Sequence, residues 1–223
     1  MLNKQKGNMY PWVTHTWNVI KGKCPHDCSY CYMKRYPQPE LHFDERELKT
    51  DLGSGNFIFV GSSCDMWAES IYDEWIDQIL EHCRLYPQNT YLFQSKNPLR
   101  FGYWNIDLPP KVILGATIET CQATGDYSES PHPRSRFEAM LYLTQGMHPL
   151  MVSIEPIMDF DLDTLVGWIK DIQPEFVSIG ADSGHNHLPE PSPDKVRALI
   201  AELKQFTEIR SKNNLNRLLK GAE

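Results

Sequence analysis

Short apolar runs rich in β-branched and aromatic residues recur along the chain, at residues 16–20, 56–60, 90–93, 111–118, 149–154 and 176–179. Most of them lack the in/out alternation of a half-exposed strand. That is the pattern of strands buried on both faces. Between them, apolar residues return at helical spacing. Ile71, Trp75, Ile76, Ile79, Leu80 and Cys83 share one face, and Phe137, Met140, Leu141 and Leu143 mark a second helix closed by Gly146. Leu162, Leu165, Val166 and Ile169 mark a third. Val196, Leu199, Ile200, Leu203 and Phe206 mark a fourth, opened by Ser192-Pro193. The segment from Asn97 to Trp104 has room for a turn or two only.

Six strands alternating with helices predict right-handed βα units and a parallel sheet. Eight would make a full TIM barrel; six predict an α/β fold, a partial (β/α)6 TIM-like barrel. No Gly- or Pro-rich linker divides the chain. A single domain is expected over residues 1–223, with its core at about 14–206. Residues 207–223 read as a polar, helical extension that caps the barrel or meets a partner.

Charge and composition narrow the function. The net charge of -7 works against a protein that coats nucleic acid, because such binding rests on neutralising phosphates. The local basic groups, Lys21, Lys23, Lys34 and Arg35 and then Lys212, Arg217 and Lys220, read as solvated surface. No apolar run approaches the roughly 20 residues of a membrane helix. The opening MLNKQKGNMYPW has no apolar signal-peptide core. A soluble, cytoplasmic protein with no membrane partner is expected. A reducing compartment leaves the six cysteines for metal or redox work rather than disulfides.

In parallel α/β sheets the chemistry gathers at the carboxyl ends of the strands. Polar residues follow every predicted strand here. After the first comes Cys24-x3-Cys28-x2-Cys31; after the second, Ser62, Ser63, Cys64 and Asp65. Then come Gln94, Ser95 and Lys96; Thr117 and Glu119; Ser153 and Glu155; and finally Asp182 and Ser183. Singly, each fits turn or capping chemistry. Six at one sheet face make a candidate site. Structural zinc takes four ligands, so three thiols need a fourth; His26 would give a very tight chelate, and Cys64 could approach in space. A [4Fe–4S] cluster also usually takes four cysteines, and with three, one iron stays open to N and O donors. Spacing alone leaves both open.

The cysteine loop, with Tyr30 before its last cysteine, resembles that of the radical S-adenosylmethionine enzymes. Thr16-Trp17-Asn18, Gly22 and Cys31-Tyr32 extend the resemblance. So do Phe59-Val60-Gly61-Ser62 with Asp65 and Trp67, Leu92-Phe93-Gln94-Ser95-Lys96, Leu114 to Glu119, Ser153-Ile154-Glu155-Pro156 and the loop from Gly180 to Gly184. These segments follow the order of a phage- and bacteria-borne radical-SAM family known mainly as a domain of unknown function. The layout is similar, more distantly, to the spore photoproduct lyases.

That resemblance implies an enzyme. Cys24, Cys28 and Cys31 hold a [4Fe–4S] cluster whose open iron binds S-adenosylmethionine (SAM). Reductive cleavage gives methionine and a 5′-deoxyadenosyl radical, which abstracts hydrogen from a nucleotide, nucleoside or nucleic acid. It further implies an electron donor such as flavodoxin or ferredoxin, and a phage-encoded protein acting in the host cytoplasm. Tyr30 and Tyr32 are expected near cluster and adenine. Ser62, Ser63 and Asp65 stand where the superfamily often has Gly-Gly-Glu. Ser95 and Lys96 are expected at the SAM carboxylate, and Glu119, Ser153 and Glu155 at ribose or substrate. Cys64, Arg134, Arg136 and Asp182 are candidates on the substrate side, the arginines for phosphate or carboxylate. Two other readings are a noncatalytic zinc module and an inert partner that binds cluster and SAM without turnover.

Overall fold

In the computed structural model, which describes residues 1–104, 107–146 and 148–220, the six apolar runs are strands and a seventh parallel strand joins them. The chain opens with β1 (Asn3–Lys4), β2 (His15–Trp17) and β3 (Ile20–Lys21), followed by β4 (His42–Phe43) and β5 (Phe57–Val60). Helix α1 (Asp73–Arg84) leads to β6 (Thr90–Ser95), and a 3₁₀ stretch over Pro98–Trp104 leads to β7 (Val112–Thr117). Then come α2 (Pro133–Leu143), β8 (Leu150–Ile154), α3 (Leu162–Ile172), β9 (Phe176–Ile179), α4 (Pro193–Leu203), β10 (Glu208–Ser211) and α5 (Asn216–Leu219). The sheet order is β1-β2-β5-β6-β7-β8-β9-β10. Only β1 runs antiparallel; every other neighbouring pair is parallel. The two ends of the sheet, β1 and β10, do not pair, so the barrel stays open. No helix among the described residues is long and apolar enough to cross a membrane.

Local chemistry sets the helix starts. Ser192 caps α4 by accepting from the Lys195 amide, with Pro193 in the first turn. Asp161 caps α3 through the Thr164 amide, and Gln173 closes that helix in the left-handed region. The first apolar run breaks after Trp17. Ile20 leaves the sheet to pair with Phe43 in a separate ribbon, which starts the cysteine loop away from the sheet.

Alternation along the strands divides two cores. One face carries Ile58, Val60, Tyr91, Phe93, Leu114, Val152, Ile154 and Val177, packed under the helices. The other carries Phe59, Leu92, Ile113, Met151 and Phe176. That inner face is covered by the N-terminal segment: Tyr10 and Val13 are buried there, and Trp12 packs edge-on against Phe57 and Phe176. The concave interior is thus filled from within, as expected of a small barrel. Gly115 on β7 makes room for it, because a Cβ there would stand 2.5 Å from the Met151 sulfur on β8.

The C-terminal expectation needs correction. Residues 208–211 are not helical but form β10, parallel to β9, and helix is confined to a 3₁₀ turn at Asn213–Leu215 and to Asn216–Leu219; residues 221–223 of the expected extension lie outside the described residues. Its composition hid it. Glu208 and Arg210 pair with each other along an exposed edge, so hydropathy gives no strand signal.

Gly22, ahead of the first cysteine, sits at φ +98°, and a Cβ there would run into the Glu40 carbonyl. Backbone cannot swing aside as a flexible side chain can. We expect Gly22→Ala to cost about 2 kcal/mol or more in urea unfolding.

Candidate active site at the strand ends

The loop from Cys24 to Cys31 is turned by short backbone bonds, the Asp27 amide to the Cys24 carbonyl and the Cys31 amide to the Cys28 carbonyl, both 3.1 Å. Asp27 takes a positive φ of 41° at the bend. All six cysteines are free. Cys28 is buried with its sulfur 3.2 Å from the Ser128 hydroxyl, and Cys24 and Cys31 are half-buried. A hydrogen bond from the Cys64 thiol holds the Cys24 thiol down at about 6, which favours the thiolate, the form that binds metal. Burial pushes Cys31 up, and the bond to Cys24 pushes Cys64 far up. Among the described residues, no three of His, Cys, Asp and Glu are gathered to grip a single metal ion.

Behind the loop, Asp65 is a hub. Its Oδ2 receives the Ser95 hydroxyl at 2.9 Å and the Lys96 amide at 2.8 Å, and lies 2.8 Å from His26 Nε2. Burial opposes its ionisation, but His26 and the amides of Lys96 and Trp67 outweigh that and keep it below the usual carboxylate range. His26, inside the cysteine loop, therefore anchors the loop to β6. Ser95 faces Asp65 rather than the barrel mouth.

Glu119 is more deeply committed. Its Oε1 accepts from Tyr30 at 2.7 Å and from Lys96 at 2.8 Å, and its Oε2 from Arg136 at 2.6 Å. Lys96 also donates to the Tyr30 hydroxyl at 2.9 Å and lies over its ring. Burial opposes ionisation here too, but Lys96 and Arg136 overcome it and hold Glu119 at about 2. This four-residue knot ties the cysteine loop to the ends of β6 and β7. Both Glu119 oxygens are engaged within the knot, and the carboxylate is fully buried.

Inside the mouth lies a polar layer. Tyr10 donates to Gln94 at 2.9 Å and sits 2.8 Å from the Ser153 hydroxyl, while Gln94 donates to Thr117 at 3.0 Å. Glu155 pairs with Lys212 at 2.8 Å and accepts a long bond from Asn8. Burial raises Glu155, and Lys212 counteracts it. Tyr10, Asn8 and Lys212 were not expected here. Tyr10 and Asn8 sit in a polar, unpatterned segment. Lys212 follows a strand that hydropathy does not mark.

The remaining expected residues take other places. The Asn18 side chain accepts from the Ser62 hydroxyl and the Ser63 amide, and Tyr32 donates to the Ser62 carbonyl at 2.9 Å, so these three form one rim with the first strand. Arg134 is exposed and pairs with Glu138 one turn on. Arg136 is fully buried, with donors on the Pro131 and Thr117 carbonyls as well as on Glu119. Arg136 therefore has no guanidinium nitrogen left for a phosphate. Asp182 is spent on its own loop, accepting from the Gly184 and Asn186 amides. Cys83 is core on α1.

An open parallel barrel whose first βα loop carries the thiols can now be set beside known proteins. No protein-family model matches the chain, and no curated protein does. Among solved structures the match is clear. The chain shares the fold of spore photoproduct lyase. Against that lyase with dinucleoside spore photoproduct bound, the TM-score is 0.67 at 8% identity, covering 93% of this chain and 79% of the lyase. Against a double variant holding AdoMet and the same dinucleoside, it is 0.66 at 8% identity, covering 92% and 78%. SuiB of Streptococcus suis bound to S-adenosylmethionine gives 0.58 at 8% identity, covering 91% of this chain but 50% of SuiB. At such identities the likeness is one of fold.

Proposed function

We propose that the chain is a radical SAM enzyme, with a [4Fe–4S] cluster on Cys24, Cys28 and Cys31 and S-adenosylmethionine at the strand ends. The observation that carries this reading is the free three-thiol loop at the mouth of a lyase-like parallel barrel. The residues fit such a group. A single ion needs donors about 2.3 Å away, and so tightly gathered thiols. A cluster spreads its cysteines over several irons, which suits three loop thiols that are not gathered on one point.

When bound, cluster and SAM supply reductive cleavage to methionine and a 5′-deoxyadenosyl radical that takes hydrogen from substrate. The chain's own residues do the rest. Asp65, through His26, fixes the loop against β6. Lys96 offers a cation to the SAM carboxylate. Tyr32 and the Ser62–Ser63 turn form the adenosine rim. Glu155, Lys212 and Ser153 supply polar groups beyond it. Tyr10, Trp12 and Val13 close the floor and keep water from a reactive intermediate. An electron donor such as flavodoxin or ferredoxin would approach Cys24 and Cys31, the two half-exposed thiols.

A nucleoside, nucleotide or nucleic-acid substrate is favoured. The lyase that holds a dinucleoside is covered over most of its length, whereas SuiB, which binds a precursor peptide, is covered over 49%. Anaerobic reconstitution tests the reading. About four irons and four sulfides per chain and a brown colour are expected. A colourless chain holding zinc would overturn it.

A further inference from the structure

Arg136 is fully buried, and every nitrogen of its guanidinium is engaged. Nε donates to the Pro131 carbonyl, Nη1 to the Thr117 carbonyl and Glu119, and Nη2 to the hydroxyls of Ser130 and Thr124. It cannot touch a ligand. Its counter-ion Glu119 also holds Lys96, whose side chain is 11% exposed. Three formal charges therefore share this knot: two cations and one carboxylate, a balance of +1. The neighbouring Asp65 is engaged separately, by His26, the Ser95 hydroxyl and the Lys96 amide. An ammonium has three donors, and Lys96 uses two, on Tyr30 and Glu119. One N–H remains.

We propose that Arg136 is a positioning residue that neutralises Glu119 from behind, so that Lys96 keeps one donor and an uncompensated positive charge for an anionic carboxylate at the mouth. Without Arg136, Lys96 and Glu119 would cancel. Because Lys96 and Tyr30 would still hold Glu119, it would stay ionised at neutral pH and absorb the lysine's charge. The inference rests on the proposed SAM site and gives a residue outside that site control of its charge.

The charge count orders four proteins: Arg136→Met at 0, wild type and the Glu119→Gln/Arg136→Met double variant at +1, and Glu119→Gln at +2. Calorimetric titration of each reconstituted protein with SAM, and with decarboxylated SAM, reads that order. Arg136→Met should weaken SAM binding about ten- to thirtyfold, since a unit charge within the knot acts through a partly buried medium. Its binding of decarboxylated SAM, which keeps only cationic groups, should not weaken. The double variant should return to within about threefold of wild type, and Glu119→Gln should bind at least as tightly. A merely structural arginine would not be rescued by removing its partner. If Arg136→Met does not fold, the double variant and Glu119→Gln carry the test, and weaker binding in either overturns the proposal. So does equal binding by Arg136→Met and wild type. Failure of wild type to bind SAM would instead overturn the function proposed above.

Discussion

Replacing Cys28 by alanine leaves a folded chain that holds no cluster. Cys28 is the most buried of the three loop thiols, and its loss removes one small side chain and one weak contact to Ser128. The folding cost should be about 1 kcal/mol. The functional cost should be near total, because two cysteines cannot hold a four-iron cluster. Iron should fall from about four per chain to background after reconstitution, with the melting curve little changed. Cys83→Ala is the matched control. Cys83 is buried too, but on α1 in the helix-side core, so that variant should lose a comparable amount of stability and keep its iron. Equal iron in the two variants would show that the loop is not the cluster site.

The second large effect belongs to Glu119. Removing its carboxylate in Glu119→Ala leaves the fully buried Arg136, and Lys96 beside it, without their counter-ion. Breaking a buried pair from one side costs about 3–5 kcal/mol. Urea unfolding at neutral pH should show it. The pH dependence has a definite sign. Glu119 is held at about 2 in the folded chain against a reference of 4.5. A depressed carboxylate contributes stability above its unfolded pKa and loses it as pH falls through the folded one. Wild type should therefore lose about 3 kcal/mol from this group between roughly pH 4.5 and pH 2. Glu119→Gln should lack that part of the acid limb and unfold on a flatter curve.

Much of the architecture was legible because buried parallel strands and amphipathic helices leave periodic patterns. The runs at 111–118, 149–154 and 176–179 became β7, β8 and β9, and Ser192-Pro193 did open α4. What stayed hidden had a common physical cause. β10 is an edge strand with polar side chains, and the N-terminal segment that fills the interior follows no period. Both reach the mouth through polar residues, Lys212 and Tyr10, whose roles depend on contacts more than 50 positions away in sequence. The site showed the same divide. The place of the thiol loop beyond the end of the first parallel strand could be read from the sequence. Which polar residues face the mouth could not, because it depends on who satisfies whom. Glu119 and Arg136 satisfy each other, Asp182 satisfies its own loop, and Arg134 pairs on the surface. Lys96 bonds Tyr30 and Glu119 and keeps a donor to spare beside the cysteine loop.

The central claim is that this chain cleaves SAM reductively. The most direct measurement is 5′-deoxyadenosine released by the anaerobically reconstituted chain with SAM and a strong reductant, read by chromatography. The account predicts release that requires the reductant and disappears in Cys28→Ala. A fully iron-loaded chain that binds SAM yet releases none under reduction would contradict it.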